Sequence, residues 1–345
     1  MIIHVLTFDG SPLGVTMKDL WGEGRRGIGI GGSEYALLTM CEEWHKAHHE
    51  VVLYNNPLTV DGSPFEQRSI GSFDPNENRD ILIIFRTPNP YSLAAKGLKT
   101  WWSCDQATIG DFRSFAGTVH KIVCISPRHA DYFAHNYGIT NTTVIDIPVR
   151  MHDFDTIGEA DKIPNRLIFT SVPARGLDEL LKIYPYIKEA VPHTSLAITS
   201  DYRLWGCGAG NEVFRNRWMS QSGVQFFGAL PREKYIIELL KAQIHLYPCI
   251  YDELFCVSVS ESQYAGAYPV TSGAGALATT NMGRVIHANP SSGAGRHEYI
   301  DTVVRLLHDQ AGLKKLQDEV KQKAKERFSP ERILKQWDEL IFNKG

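Results

Sequence analysis

Short apolar runs rich in β-branched and aromatic residues recur along the chain, and stretches of helical periodicity separate them. Strands alternating with helices in this way predict parallel α/β layers. The runs form two sets of six. The first is HVLTF (4–8), VVLYN (51–55), ILIIF (81–85), TWWSC (100–104), KIVCIS (121–126) and TVIDI (143–147). The second is RLIFTS (166–171), SLAITS (195–200), VQFFG (224–228), IHLYP (244–248), YPVTS (268–272) and RVIHA (284–288). Helical patterns fill 33–49, 127–138, 176–191, 231–243 and 257–266, and the chain is strongly helical from Tyr299 onward. Ser329 and Pro330 suit the N-cap and first position of a last helix. Between the two sets lies VRMHDFDTIGEADKIPN, polar and weakly periodic, which predicts a linker with a boundary near residues 152–164.

Composition narrows this picture without redirecting it. A chain of 345 residues is long for one core, so two domains are expected. The net charge of -3 supplies no global basic field for nucleic acid. Cysteines 41, 104, 124, 207, 249 and 256 sit in or beside apolar runs with no CxxC spacing, which predicts reduced thiols in a cytosolic protein. The N-terminus lacks a signal-like pattern and no apolar run approaches a membrane span, so a soluble chain is expected, with contact at a membrane surface left open.

Several motifs carry candidate chemistry. Gly27, Gly29 and Gly32 satisfy GxGxxG, but they follow the first strand only after a long loop, and the second strand ends without an acidic residue. A dinucleotide site needs both features. Gly31, Gly32 and Ser33 still precede a helix, where bare amides can approach an anion or a sugar. Asp153-Phe154-Asp155 matches a metal-binding DxD, yet it falls in the expected linker. His45 and His49 share a helix face with no convincing partner, which describes a solvated face better than a metal site. No protein-bound metal is expected.

FTSVPARGLDELL is more specific, since it runs from a strand through Arg175-Gly176 into a helix. An arginine there stands where α/β sheets bind ligands and can clamp a phosphate, although a surface arginine capping a loop fits this segment equally well. The stretch YDELFCVSVSESQYAG then sets Glu253 just before a helix expected to begin near Phe255, with Glu261 about two turns inside it. That spacing puts the amides of Leu254, Phe255 and Cys256 between the carboxylates. Such a helix start suits a phosphate flanked by hydroxyl-bearing groups better than it suits an acid/base pair. Taken alone, the two glutamates also fit a dipole-favoured helix start and an exposed helical side chain.

Together these segments resemble the retaining glycosyltransferases of family 4. YDELFCVSVSESQYAGAYPVTSGAGAL is similar to that family's E-x-F-G-x-x-x-x-E-A-x-A-x-G-x-P-V motif, GGSE to its N-terminal Gly-Gly loop, and VPARGLDELL to its phosphate segment. VQFFGALPREKYIIELLKAQIHLYP resembles the segment ahead of the motif, and the order of all four is right. The resemblance implies an α/β, GT-B fold of two facing Rossmann-like domains with parallel sheets. It assigns residues 1–155 to acceptor binding, 156–328 to nucleotide-sugar binding, and 329–345 to a helix crossing back. It implies that Glu253 meets a hydroxyl of the transferred sugar and Glu261 the ribose. Arg175 neutralises the leaving diphosphate, with the backbone of Leu254, Phe255 and Cys256 also holding sugar and phosphates. Gly31, Gly32 and Ser171 belong to the donor site, and Leu230 lies near the base. Ser33, Cys104 and Asp105 are the acceptor-side residues.

Three departures from the family pattern stand out. Thr170 occupies a position that often holds arginine, Cys256 one that is usually glycine, and Cys104-Asp105 stands where the family has a histidine-aspartate pair. Cys104 is not assigned as a nucleophile. The implied activity is metal-independent transfer of a hexose-type sugar from a UDP- or GDP-sugar to a glycan, lipid-linked or other hydroxyl acceptor, in the cytoplasm or at the membrane surface. A nucleotide-sugar epimerase or hydrolase, a non-catalytic glycan-binding relative and a DNA-base glycosyltransferase stay open.

Overall fold

The computed structural model describes residues 1–10, 13–24, 27–59, 62–205 and 219–344. The chain divides into two compact units, one of Met1–Arg26, Ile30–Pro148 and Pro330–Gly345, the other of Gly27–Gly29 and Val149–Ser329.

The first unit is built on seven parallel strands: β1 (Ile2–Leu6), β2 (Glu50–Tyr54), β3 (Glu66–Arg68), β4 (Ile81–Phe85), β5 (Leu98–Trp102), β6 (Lys121–Cys124) and β7 (Thr142–Val144). Their order across the sheet is β3-β2-β1-β4-β5-β6-β7. Covered on both faces, such strands read as continuous apolar runs, as ILIIF does. β3 is the exception: its sequence EQR has no apolar pattern, and it forms because its backbone pairs with Val52–Tyr54 of β2. Helices Gly32–Lys46 and Pro330–Leu340 belong to this unit, and Trp337 of the last one packs edge-on against Trp44 (5.0 Å) and Trp102 (5.4 Å).

The second unit has six parallel strands, β8 (Arg166–Thr170), β9 (Ser195–Thr199), β10 (Val224–Phe226), β11 (Ile244–Tyr247), β12 (Tyr268–Ser272) and β13 (Arg284–Ile286), in the order β10-β9-β8-β11-β12-β13. Its helix Leu177–Ala190 carries Pro185 in its interior. Proline cannot donate to the carbonyl four residues back, and Gln221 Nε2 supplies that bond to Leu181 at 2.8 Å instead. The polar stretch expected to be a linker holds the helix Met151–Ile157. Its periodicity looks weak because one of its two fully buried side chains, Asp153, is charged.

All twelve expected strands form, each end within three residues of its expected place. The five described cysteines are free thiols, and Cys207 lies outside the described residues. Among the described residues no helix is long and apolar enough to cross a membrane.

Three buried histidines are held neutral by their surroundings. Burial and the neighbouring Arg79 guanidinium lower His4 to about 4, and burial lowers His129 to about 4 and His245 to about 3. Each is neutral when folded and protonated when unfolded below its ordinary value, so the unfolded chain binds more protons as pH falls through 6.5. Each group therefore removes up to about 1.4 kcal/mol of stability per pH unit between that value and its folded one. Thermal midpoints are expected to drop between pH 7.5 and pH 5, and His245→Asn to flatten the drop; a midpoint constant over that range would contradict the argument.

Candidate functional site in the second unit

In an open parallel sheet, ligands bind beyond the carboxyl ends of the strands where the strand order reverses. In the second unit that place lies between β8 and β11. β8 ends at Thr170, and Ser171 leads into the turn Pro173–Arg175 and then Gly176. β11 ends at Tyr247, and a loop carries Glu253 to the helix Val257–Tyr264. Gly176 has φ 120°, and a Cβ there would lie 2.4 Å from the Pro248 carbonyl oxygen. Only glycine lets the first turn lie so close against the second loop.

That approach brings Arg175 to Glu253. Arg175 Nη1 donates to both carboxylate oxygens, at 2.9 and 3.0 Å. Tyr247 completes the cluster, since its hydroxyl reaches Glu253 Oε1 at 2.6 Å and Ser171 Oγ at 3.2 Å. The Tyr251 ring lies 4.4 Å from the guanidinium carbon of Arg175. Burial works against the arginine's charge, but Glu253 outweighs it and pushes the guanidinium pKa up. The cluster is thus a buried carboxylate locked among donors beside a cation that stays charged.

The loop before the helix corrects one expectation. The helix starts at Val257, where the 257–266 pattern begins, and not near Phe255, because Cys256 has φ 80° and ψ 82°, which no helical residue can have. Its first-turn amides are therefore those of Val257 and Ser258, which lack acceptors within the helix. Leu254 and Phe255 are buried ahead of it, with Phe255 edge-on to Phe328 at 5.7 Å. Glu261 accordingly sits little more than one turn inside the helix rather than two. A left-handed backbone costs a side-chain-bearing residue about 1–2 kcal/mol, which explains in physical terms why glycine suits position 256. Burial and the nearby Glu253 push the Cys256 thiol up, so it stays protonated at neutral pH. The following loop rests on Glu253 itself: Ala276 N–H donates to its carbonyl at 2.7 Å, and a Cβ at Gly275 would lie 2.2 Å from that oxygen.

Glu261 is buried and accepts from Arg232 Nη2 at 2.8 Å. The Leu230 carbonyl accepts from the Gly29 amide at 3.0 Å. Thr170 Oγ1 lies 3.4 Å from His245 Nε2. In the first unit Gly31 is the N-cap of Gly32–Lys46, with Ser33 in the first turn. Cys104 is buried, and burial together with Asp105 raises its thiol well above the ordinary value, which removes it as a nucleophile. Asp105 pairs with Arg86, a residue in the left-handed region at φ 68°. Of the DxD residues, Asp153 is fully buried against Arg150 and Arg232, while Asp155 accepts from the Tyr264 hydroxyl at 3.3 Å. His45 is exposed at a helix C-terminal end, whereas His49 lies beyond that end, partly buried and edge-on to Phe342 at 6.0 Å, so the two do not form one solvated face.

No protein-family model and no curated protein sequence matches the chain. Solved structures do. A sucrose-phosphate synthase from Thermosynechococcus elongatus superposes with TM-score 0.71 at 14% identity, covering 99% of this chain and 98% of that one. The Anabaena protein HepE in complex with UDP gives 0.72 at 15%, covering 99% and 100%, and HepE is also solved with UDP-glucose. AviGT4, a glycosyltransferase involved in avilamycin A biosynthesis, gives 0.67 at 18%, covering 98% and 96%. The chain has the GT-B fold. At such identities the likeness speaks for the fold alone, and the GT-B chain's chemistry must be argued from its own residues.

No motif legible in the sequence assigns a role to Tyr247, Tyr251, Arg232 or Arg86. Arg232 left a readable signal, because arginine at the first position of Arg232–Lys241 opposes the helix dipole and calls for a nearby carboxylate. Tyr247 left none, since a tyrosine ending an apolar strand is ordinary. Gly176→Ala is expected to cost about 2 kcal/mol or more in urea unfolding, through both its φ and the Pro248 carbonyl. A loss below about 0.5 kcal/mol would show that the close approach is dispensable.

Proposed function

We propose that this chain is a retaining glycosyltransferase of the family 4 type, moving a hexose-type sugar from a UDP- or GDP-sugar to a hydroxyl of a glycan or lipid-linked acceptor. The observation that carries the reading is the Arg175–Glu253 pair, joined by Tyr247 and Ser171, at the carboxyl ends of β8 and β11. Fold neighbours solved with UDP and UDP-glucose support a nucleotide sugar as the donor.

Glu253 accepts a hydrogen bond from a hydroxyl of the transferred sugar. Arg175 turns part of its charge to the diphosphate, and the amides of Val257 and Ser258 add the positive end of a helix dipole. In the reaction the bond between the sugar's C1 and the diphosphate oxygen breaks, and its electron pair leaves with the diphosphate. The acceptor oxygen bonds to C1 on the same face, and its proton passes to the departing phosphate oxygen. Stabilisation by fixed donors is greatest where charge develops, which here is the leaving diphosphate. Arg175 meets that charge directly, so the reading requires no metal. Glu261 binds the ribose. Acceptor contacts are assigned to Ser33, Cys104 and Asp105, with Arg86 orienting Asp105. The protein acts in the cytoplasm, at the membrane surface if its acceptor is lipid-linked.

The deciding experiment follows diphosphate release from UDP-, GDP- and ADP-sugars with and without a panel of acceptors. Transfer predicts release that depends on acceptor and product of retained anomeric configuration. Equal release without acceptor would make the protein a hydrolase, and no release from any donor would leave it a binding protein. Arg175→Ala is expected to lower turnover by about 10²–10³-fold with a smaller loss of donor affinity; the reverse pattern would confine Arg175 to binding. Glu261→Ala is expected to weaken nucleotide binding by about tenfold or more in calorimetry, and unchanged affinity would remove it from the ribose role.

A further inference from the structure

Four charged side chains of the second unit form one buried line. Arg232 donates Nη2 to Glu261 Oε1 at 2.8 Å and Nε to Asp153 Oδ2. The same Oδ2 accepts from Arg150 Nε at 2.9 Å, and His152 Nε2 lies 2.9 Å from the other oxygen. None of the four is more than 5% exposed. Burial alone would raise the Asp153 pKa, but His152, Arg232 and Arg150 together hold its carboxyl well below the usual range. Two cations and two anions therefore cancel inside the unit.

The line also fixes one helix on another. Phe154 packs edge-on against Tyr264 at 5.2 Å, and Asp155 accepts from the Tyr264 hydroxyl, so Met151–Ile157 is clamped to the helix that carries Glu261. A buried ion network is a poor source of stability, because desolvating four charges offsets most of their attraction. What it supplies is orientation. With Oε1 held by the guanidinium, the Glu261 carboxylate cannot turn freely, and among the described residues its Oε2 accepts no hydrogen bond.

We propose that Arg232, braced by Asp153 and Arg150, is a positioning residue that presents Oε2 of Glu261 to the ribose hydroxyls of the nucleotide, and so sets the preference for ribose over deoxyribose. The inference rests on the donor reading given above and adds to it the residues that make Glu261 selective. Asp153, which resembles part of a metal-binding DxD in the sequence, is on this view a structural counter-charge.

The test measures binding of UDP, GDP and ADP, then of the 2′,3′-dideoxy form of the tightest binder, by calorimetry. A carboxylate accepting from ribose hydroxyls predicts about 10–100-fold weaker binding of the dideoxy form to the wild-type protein. The double variant Arg232→Gln/Asp153→Asn removes one cation and one anion, so the remaining buried charges still balance. It is expected to reduce the discrimination to about threefold or less while leaving affinity for the dideoxy form within about threefold of wild type. Arg232→Lys keeps the charge but cannot bridge both carboxylates with a planar fork, and is expected to lose at least about threefold of the discrimination. That variant decides the matter if the double variant does not fold. Wild-type discrimination in either folded variant would overturn the positioning role and leave the donor reading intact. Equal binding of both forms by the wild-type protein would remove Glu261 from the ribose role and overturn the inference alone, whereas no nucleotide binding would overturn the donor reading and the inference with it.

Discussion

The second unit depends on the pairing of β8 with β11. Four residues join them in register, Ile244 with Leu167 and His245 with Ile168, although the strands are far apart in the chain. On one side of that junction the chain winds outward through β9 and β10, and on the other through β12 and β13. The loops leaving β8 and β11 therefore diverge, and what they carry meets beyond the sheet edge. Arg175 comes from one loop and Glu253 from the other, and Gly176 sets how closely the two loops approach.

Charge is handled in two ways around this junction. Where charge is kept in the interior, it is paired: Arg175 with Glu253, and Arg232 with both Asp153 and Glu261. Where it cannot be paired, it is given up, as at His245, which lies under the site between Ser262 and Thr170 and stays neutral. Among the described residues no carboxylate pairs with His245, whereas Glu253 accepts from both a guanidinium and a phenol. Ionised groups thus survive burial only where an opposing group is built in.

The first unit repeats the strand order and puts different chemistry on it. Its own reversal point lies between β1 and β4, and there Arg86 leaves β4 in a left-handed conformation to pair with Asp105 beyond β5. A guanidinium facing a carboxylate at this edge answers the Arg175–Glu253 pair in kind, yet the residues share no motif. The shared feature is topological: each sheet brings side chains from distant strand ends to one edge.

Read by itself, the sequence determined the α/β class, the twelve apolar strands, most helices and the segments that end in Arg175 and Glu253. These follow from patterns a few residues long, since burial on both sheet faces and a 3.6-residue helical stripe each leave a local record. β3 escaped because EQR owes its strand form to a partner, and Met151–Ile157 escaped because an inward-facing aspartate breaks the apolar stripe. The helix start moved because the backbone angle at Cys256 is not written in its side chain. Only the tertiary structure decided that Arg175 opposes Glu253, 78 residues away, and that Glu261 is held by Arg232, 29 residues away. Such pairs form when strand register and a close glycine contact bring distant loops together, and no local pattern records which charge will stand opposite which.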